Sequence, residues 1–194
     1  MKKIIFFILM VFFSLFYSLG FGAEYAVDKG SNMFGITAGF INASGDLYTG
    51  GGKPFTAILL MPHTVHFFVR NFGIGGDLLA LLTAQGDNKS TTVGVGPKIM
   101  YFFGGKDSKT YPYLTSGFYY LMNDIEYEDI DFLISGVLTG TRFKIGAGVS
   151  WLNDPHLGLV VEASYNRDKL KPEEGKSKSG NMVIVSVGLA GFLF

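Results

Sequence analysis

Residues 137–151 read VLTGTRFKIGAGVSW, and their alternation decides the fold. The odd positions hold Val137, Thr139, Thr141, Phe143, Ile145, Ala147, Val149 and Trp151, while the even ones hold Leu138, Gly140, Arg142, Lys144, Gly146, Gly148 and Ser150. Successive side chains on a strand point to opposite faces, so this stretch has one apolar face ending in tryptophan and one face of glycines with two cations. The next segment repeats the design, with Leu157, Leu159, Val161, Ala163 and Tyr165 opposite Glu162, Ser164 and Asn166. Upstream, Phe72, Ile74, Leu78, Ala80 and Leu82 oppose a face bearing Asp77, and Val93, Val95, Ile99, Tyr101 and Phe103 oppose one bearing Lys98.

Composition tells which solvent the apolar face meets. The chain has 194 residues, 48% of them hydrophobic and 16% charged. Ordinary soluble domains carry about 25% charged residues, and a soluble sandwich would need many of them on its polar faces. Here each polar face has one or two charges among glycines, as the interior of a narrow barrel would. Sixteen basic and sixteen acidic residues balance, which removes any global electrostatic case for nucleic acid. Cysteine is absent, excluding disulfides, thiolate metal sites, a cysteine nucleophile and a lipidated N-terminal cysteine.

Eight segments have the length and character of membrane-crossing strands, which need roughly 9–11 residues. They are Asn32–Asn42, Phe55–Val69, Phe72–Ala84, Thr91–Phe103, Tyr111–Asn123, Ile134–Trp151, Leu157–Arg167 and Asn181–Phe194. Three alternate less cleanly. Pro62 interrupts the second and implies a bulge, a bend or a late start. The fifth has aromatics on both faces. In the last, Val183, Val185, Val187 and Leu189 share one face and Phe192 and Phe194 the other, so either unexpected residues point inward or a bulge near Gly188 resets the phase.

The expected fold is all-β, an eight-stranded antiparallel up-and-down transmembrane barrel. Its short inner turns are expected at Arg70–Asn71, Gly104–Thr110 and Leu152–His156, and its outer loops at Ala43–Lys53, Gln85–Ser90, Asp124–Leu133 and Asp168–Gly180. Phe34, Phe67, Phe72, Tyr101, Phe103, Tyr111, Tyr113, Trp151 and Phe194 then fall near the inner ends, as an interfacial aromatic girdle.

The N-terminus reads as a secretory leader. Lys2 and Lys3 precede the apolar run Ile4–Phe16, and Ser18, Gly20, Gly22 and Ala23 follow. Cleavage after Gly22 divides the chain into a signal peptide, 1–22, and a barrel domain, 23–194. Cleavage after Ala23 and an uncleaved anchor are the alternatives.

An exported chain of eight alternating strands ending on Phe194 resembles the small outer-membrane β-barrels of Gram-negative bacteria, of the OmpA/OmpX type. The stretches Phe34-Gly35-Ile36-Thr37-Ala38-Gly39-Phe40 and Phe72-Gly73-Ile74-Gly75-Gly76 are similar to the broad outer-membrane β-barrel domain family. The resemblance covers essentially the whole mature chain. It implies an outer-membrane location, contact with outer-membrane lipids including lipopolysaccharide, and recognition of a C-terminal aromatic signal by the barrel-assembly machinery. Phe192 and Phe194 match the two aromatic positions of that signal, whereas Leu189 stands where the group has glycine, with Gly188 one place off. The chain is expected to be a monomer.

No catalytic, cofactor or metal site is expected. Some barrels of this size act as lipid A deacylases or acyltransferases, but the His–x–Ser pairing typical of the deacylases does not occur here. His63 and His66 fall on opposite strand faces, and with His156 they complete the histidines. The acidic cluster Asp124, Glu126, Glu128, Asp129 and Asp131 lacks the spacing of an ordered calcium loop. Lys169, Lys171, Lys176 and Lys178, mixed with Glu173 and Glu174, form a solvated hairpin that could meet lipopolysaccharide phosphates. The expected role is structural or surface-interacting. The alternative is a lipid A-modifying or lipid-binding barrel, to which the apolar face of the last strand points. A diffusion channel is disfavoured, because eight strands enclose room only for side chains.

One internal feature follows from parity. Asp77, Lys98, Arg142, Lys144 and Glu162 all lie opposite lipid-facing residues, since Arg or Lys turned to lipid would cost about 2–4 kcal/mol at the midplane. Inside a narrow lumen they must pair. Counting back from the turn near Pro155 sets Ser150 opposite Leu157. Glu162 then falls near residue 145, with Lys144 as its first partner and Arg142 next.

Overall fold

A computed structural model describes residues 23–44, 56–85, 88–129, 132–171 and 177–194, so the segment 1–22, expected to be a leader, lies outside the described residues. Eight strands form one closed antiparallel barrel in chain order: β1 Asn32–Ser44, β2 Thr56–Val69, β3 Phe72–Gln85, β4 Asn88–Phe102, β5 Thr110–Asp129, β6 Phe132–Asp154, β7 Leu157–Lys171 and β8 Lys178–Leu193. The seam is β1 against β8, from Asn32↔Leu193 to Ser44↔Asn181.

Several outer loops are shorter than the sequence suggests, because the strands run past the apolar belt. The stretch expected as a loop at 124–133 is mostly strand, with β5 reaching Asp129 and β6 starting at Phe132. Its alternation of Asp124, Glu126 and Glu128 with Ile125 and Tyr127 is itself a period-two pattern. β7 likewise continues to Lys171, β8 starts at Lys178 and β4 at Asn88. The connection between β6 and β7 shrinks to Pro155 and His156, with an irregularity between Leu152 and Asp154.

The ambiguous strands resolve by parity. β2 starts at Thr56 and keeps its register through Pro62, with Leu60↔Ala80 and His63↔Asp77 on either side, and its bulge lies instead between Phe67 and Val69. β8 has no bulge; it alternates without a break, with Met182, Ile184, Ala190 and Phe192 inward and Val183, Val185, Val187 and Leu189 outward. On β5 the inward aromatics are Tyr111, Tyr113 and Tyr119, and Phe118 and Tyr120 face out. The girdle loses three members for the same reason. Phe67, Tyr111 and Tyr113 turn into the lumen, while Tyr101, Phe103 and Trp151 face outward.

The lumen is layered. At the terminal end, where β1 starts and β8 finishes, Met33, Val65, Phe67, Met100, Phe102 and Phe192 belong to one apolar cluster. At the opposite end Leu59, Met61, Leu79, Leu81, Leu121 and Ile184 belong to a second. Between them lies a polar layer. Ahead of β1, residues 24–31 fold across the terminal end, with Tyr25, Ala26 and Val27 buried in the first cluster. Burial pushes the Tyr25 hydroxyl above its ordinary value, and the Glu24 carboxylate does the same to the exposed Lys106 ammonium 3.0 Å away.

The lipid-facing assignment predicts that Ile145→Arg, at mid-strand on the outer face, destabilises the barrel by about 2–4 kcal/mol. Denaturant unfolding from liposomes measures this, and Ile145→Val should lie within about 1 kcal/mol of wild type, because it removes one methylene from a face with no packed core around it.

Candidate functional site

The charged residues of the polar layer come by parity from four strands. Asp77 of β3, Lys98 of β4, Arg142 and Lys144 of β6, and Glu162 of β7 all point inward and are at most 4% exposed. Lys98 Nζ lies 3.1 Å from Asp77 Oδ1, and Lys144 Nζ lies 2.7 Å from Glu162 Oε1 and 3.9 Å from Asp77 Oδ2. The Tyr119 hydroxyl donates to Asp77 Oδ2, and the Tyr113 hydroxyl donates to Glu162 Oε2 at 3.1 Å. Lys144 therefore joins two carboxylates carried by strands on different sides of the bore.

Arg142 belongs to a separate pair. Its Nε and Nη2 donate to the two oxygens of Asp168 at 2.6 and 2.7 Å, a bidentate fork that combines charge with fixed geometry. The two residues are directly opposed in the register. Asp168 is absent from the network expected above because the seventh segment read from the sequence ends at Arg167, whereas β7 runs to Lys171. The signal was nonetheless present, since Asp168 continues the inward series Glu162, Ser164, Asn166.

The predicted register also needs correction. Ser150 stands opposite Val160, not Leu157, and Glu162 stands opposite Gly148, because the β6–β7 turn is tighter than counted. Lys144 still reaches Glu162, since a lysine stem spans the diagonal that a direct cross-strand contact would not need. The glycines around this layer clear space for the tyrosines. A Cβ on Gly148 would come within 2.4 Å of the Tyr113 ring, and one on Gly117 within 2.6 Å of the Tyr119 hydroxyl.

Asp77, Glu162 and Asp168 face Lys98, Lys144 and Arg142, so three carboxylates balance three cations. Such burial is tolerated only because each charge has a partner; desolvation alone costs several kcal/mol per ion. His63 also lies in the layer, opposite Asp77 in the register, with Nδ1 3.4 Å from the Met61 carbonyl oxygen. His66 is on the other face, with Nδ1 2.8 Å from Asn32 Oδ1, and His156 Nδ1 is 3.0 Å from the Phe192 carbonyl oxygen. The three rings thus sit in three separate places.

Of the remaining candidates, Phe192 is fully buried in the lumen, and Phe194, beyond the end of β8, stacks on His156 at 4.6 Å between ring centroids. Asp124, Glu126, Glu128 and Asp129 lie along β5, and Lys169, Lys171 and Lys178 lie on β7 and β8. Asp131, Glu173, Glu174 and Lys176 lie outside the described residues. Among the described residues no cluster of side chains is arranged to hold a metal ion.

A closed eight-stranded wall, apolar outside and ion-paired inside, is the architecture of the small outer-membrane barrels. The chain has the fold of the OmpA/OmpX/NspA-type structures. Neisserial surface protein A (NspA) matches 86% of this chain and 100% of its own length with a TM-score of 0.62 and 16% identity. Ail, the attachment invasion locus protein of Yersinia pestis, matches over 84% and 99% with a TM-score of 0.54 and 14% identity. The N-terminal β-barrel domain of Pseudomonas aeruginosa OprF matches over 84% and 98% with a TM-score of 0.53 and 14% identity. At these identities the likeness is one of fold. No protein-family model matches the sequence, and no curated protein sequence matches it.

The ion-paired layer predicts a non-additive cycle. Asp77→Asn strands Lys98 and should destabilise the barrel by about 3–5 kcal/mol, as breaking a buried pair does. Lys98→Met in the same chain should recover a large part of that loss, because no unpaired cation remains. Urea unfolding of the two single variants and the double variant in detergent checks this; additive losses would show that the pair is not coupled.

Proposed function

We propose that this protein is a bacterial outer-membrane barrel with a structural or surface-interaction role and a lumen closed by its own side chains. The observation that carries the reading is the combination of an outward apolar wall with a paired charge layer crossing the bore. In this reading the leader is removed, the mature chain starts at Ala23 and acts as a monomer among outer-membrane lipids including lipopolysaccharide. It is inserted by the barrel-assembly machinery through the terminal Phe192 and Phe194, and it takes no cofactor and catalyses no reaction. The structural neighbour Ail, an attachment invasion locus protein also seen in complex with the heparin analogue sucrose octasulfate, supports a surface-interaction role. The apolar face of β8, which favours a lipid-modifying or lipid-binding alternative, is accounted for as outward wall: Val183, Val185, Val187 and Leu189 are all exposed on it.

The mature protein should fractionate with outer membranes and change its gel migration on boiling, because the closed ladder survives detergent until heat opens it. Recovery from the soluble periplasm would refute the location, and steady conductance in planar bilayers would refute the closed lumen. Unaltered lipid A mass spectra with and without the gene separate the structural reading from the lipid-modifying one.

Deleting Phe194 should lower the outer-membrane yield in cells while the purified variant still folds in detergent, since the residue lies beyond the last strand. Unchanged yield in cells would remove Phe194 from any assembly role.

A further inference from the structure

Residues 24–31 are attached to the barrel asymmetrically. On the β2–β3 side they are tied by backbone: Gly30 N–H donates to the Phe67 carbonyl at 2.8 Å, Phe67 N–H to the Ser31 carbonyl at 3.0 Å, and Asn71 N–H to the Val27 carbonyl at 2.8 Å. The Arg70 guanidinium lies over the Tyr25 ring, 5.4 Å from its centroid. On the opposite side, toward the β4–β5 and β6–β7 turns, packing gives way to a cleft of about 450 Å3. Its lining includes Tyr25, Ala26, Lys106, Leu152, Pro155 and Phe194. The solvated Glu24–Lys106 pair is the ion pair that crosses to that side among the described residues, and at 67% and 61% exposure it holds weakly.

The buried part of the segment is apolar and completes the terminal-end core. Ala26 and Val27 are 2% and 0% exposed, and they share a cluster with Met33, Val65, Phe67, Met100 and Phe192. Just past that cluster begins the layer of Lys98 and Asp77. Gly30 has φ 91°, the left-handed backbone that lets the chain reverse from the segment into β1, and it marks the pivot.

We propose that residues 24–31 form a displaceable plug, hinged at Gly30–Ser31 on the β2–β3 side, that shields the lumenal charge layer from water at the terminal end of the barrel. Strand pairing of the wall does not depend on it, because every strand finds its neighbours without these residues. A unit with few ties, open on one flank, opens at lower free energy than the core of the wall. When the plug swings out, water and small ions reach as far as the Lys98–Asp77 pair; when it is seated they do not.

The chain has no cysteine, so one introduced thiol is an unambiguous reporter. Val65→Cys places it on the lumenal side of the plug, and Ser179→Cys, exposed on β8 at the opposite end of the barrel, is the control. The purified, heat-modifiable barrel is treated with a charged, water-soluble thiol reagent. In the intact chain the residue 65 thiol should react far more slowly than the control, and adding Val27→Asp should accelerate it by about tenfold or more while the control is unchanged. Equal rates at the two thiols in the intact chain would show that nothing is sealed. A slow rate that Val27→Asp leaves unaltered would show that the wall's own side chains make the seal. Hydrogen exchange of the unmodified chain tests displacement without a variant. The Asn71 amide, which donates to the Val27 carbonyl beyond the hinge, should exchange faster than mid-strand amides of β6 and β7. Exchange as slow as the wall's would make the segment a fixed part of the barrel and overturn the hinge. Loss of the boiling shift in the unmodified chain would instead refute the barrel reading itself, which keeps the two failures apart.

Discussion

Inside hydrocarbon no water is present to satisfy a backbone N–H or C=O, so a sheet that enters a membrane must close on itself. The pairing of β1 with β8 is where that requirement is met, and the rest of the molecule depends on it. Closure at eight strands leaves a wall with one face toward lipid and another toward a bore only as wide as its own side chains. Both faces are then under strict rules. Outward positions must be apolar, and inward positions must fill space and pair every charge they carry.

The inner face obeys these rules by layering. Apolar clusters cap each end, and the charged residues are confined between them, three cations against three carboxylates. Neutrality alone would not suffice, since in a low dielectric each oxygen also needs a donor. Tyr113 and Tyr119 supply two of those donors from β5, and the glycines Gly117 and Gly148 make room for their rings. The network links strands β3 to β7 across the bore, so it stiffens the barrel's cross-section as well as filling it. A protein built this way offers its surroundings an apolar wall, a rim and an interior filled by its own side chains.

Much of this was legible beforehand, and the reasons are particular. Arg142 and Lys144 alternate with Thr141, Phe143 and Ile145, and lipid penalises charge heavily enough that only one orientation survives. The same parity extends to Asp168, but strands that project beyond the apolar belt no longer need an apolar face, so the outward residues do not mark where β7 ends. The aromatics of β5 were ambiguous because tyrosine suits either face: its ring belongs in the interface, and its hydroxyl also serves a buried carboxylate. β8 was ambiguous for a similar reason, since Met182, Ile184 and Phe192 pack a lumenal core as readily as they would face lipid.

By itself, the sequence determined which residues share a face, how many strands form the barrel and which face turns outward, because a period of two and the cost of charge in hydrocarbon are local and strong. It could not determine which residues meet across the bore. Register depends on turn geometry, and a β6–β7 connection of two residues instead of five moved Glu162 from beside residue 145 to beside Gly148. Lys144 bridging Glu162 and Asp77, Asp168 gripping Arg142, and residues 24–31 closing the terminal mouth are all long-range contacts. They exist only once the sheet has closed, when strands far apart in the chain are brought to a few ångströms of one another and a segment with no alternation of its own finds an apolar seat.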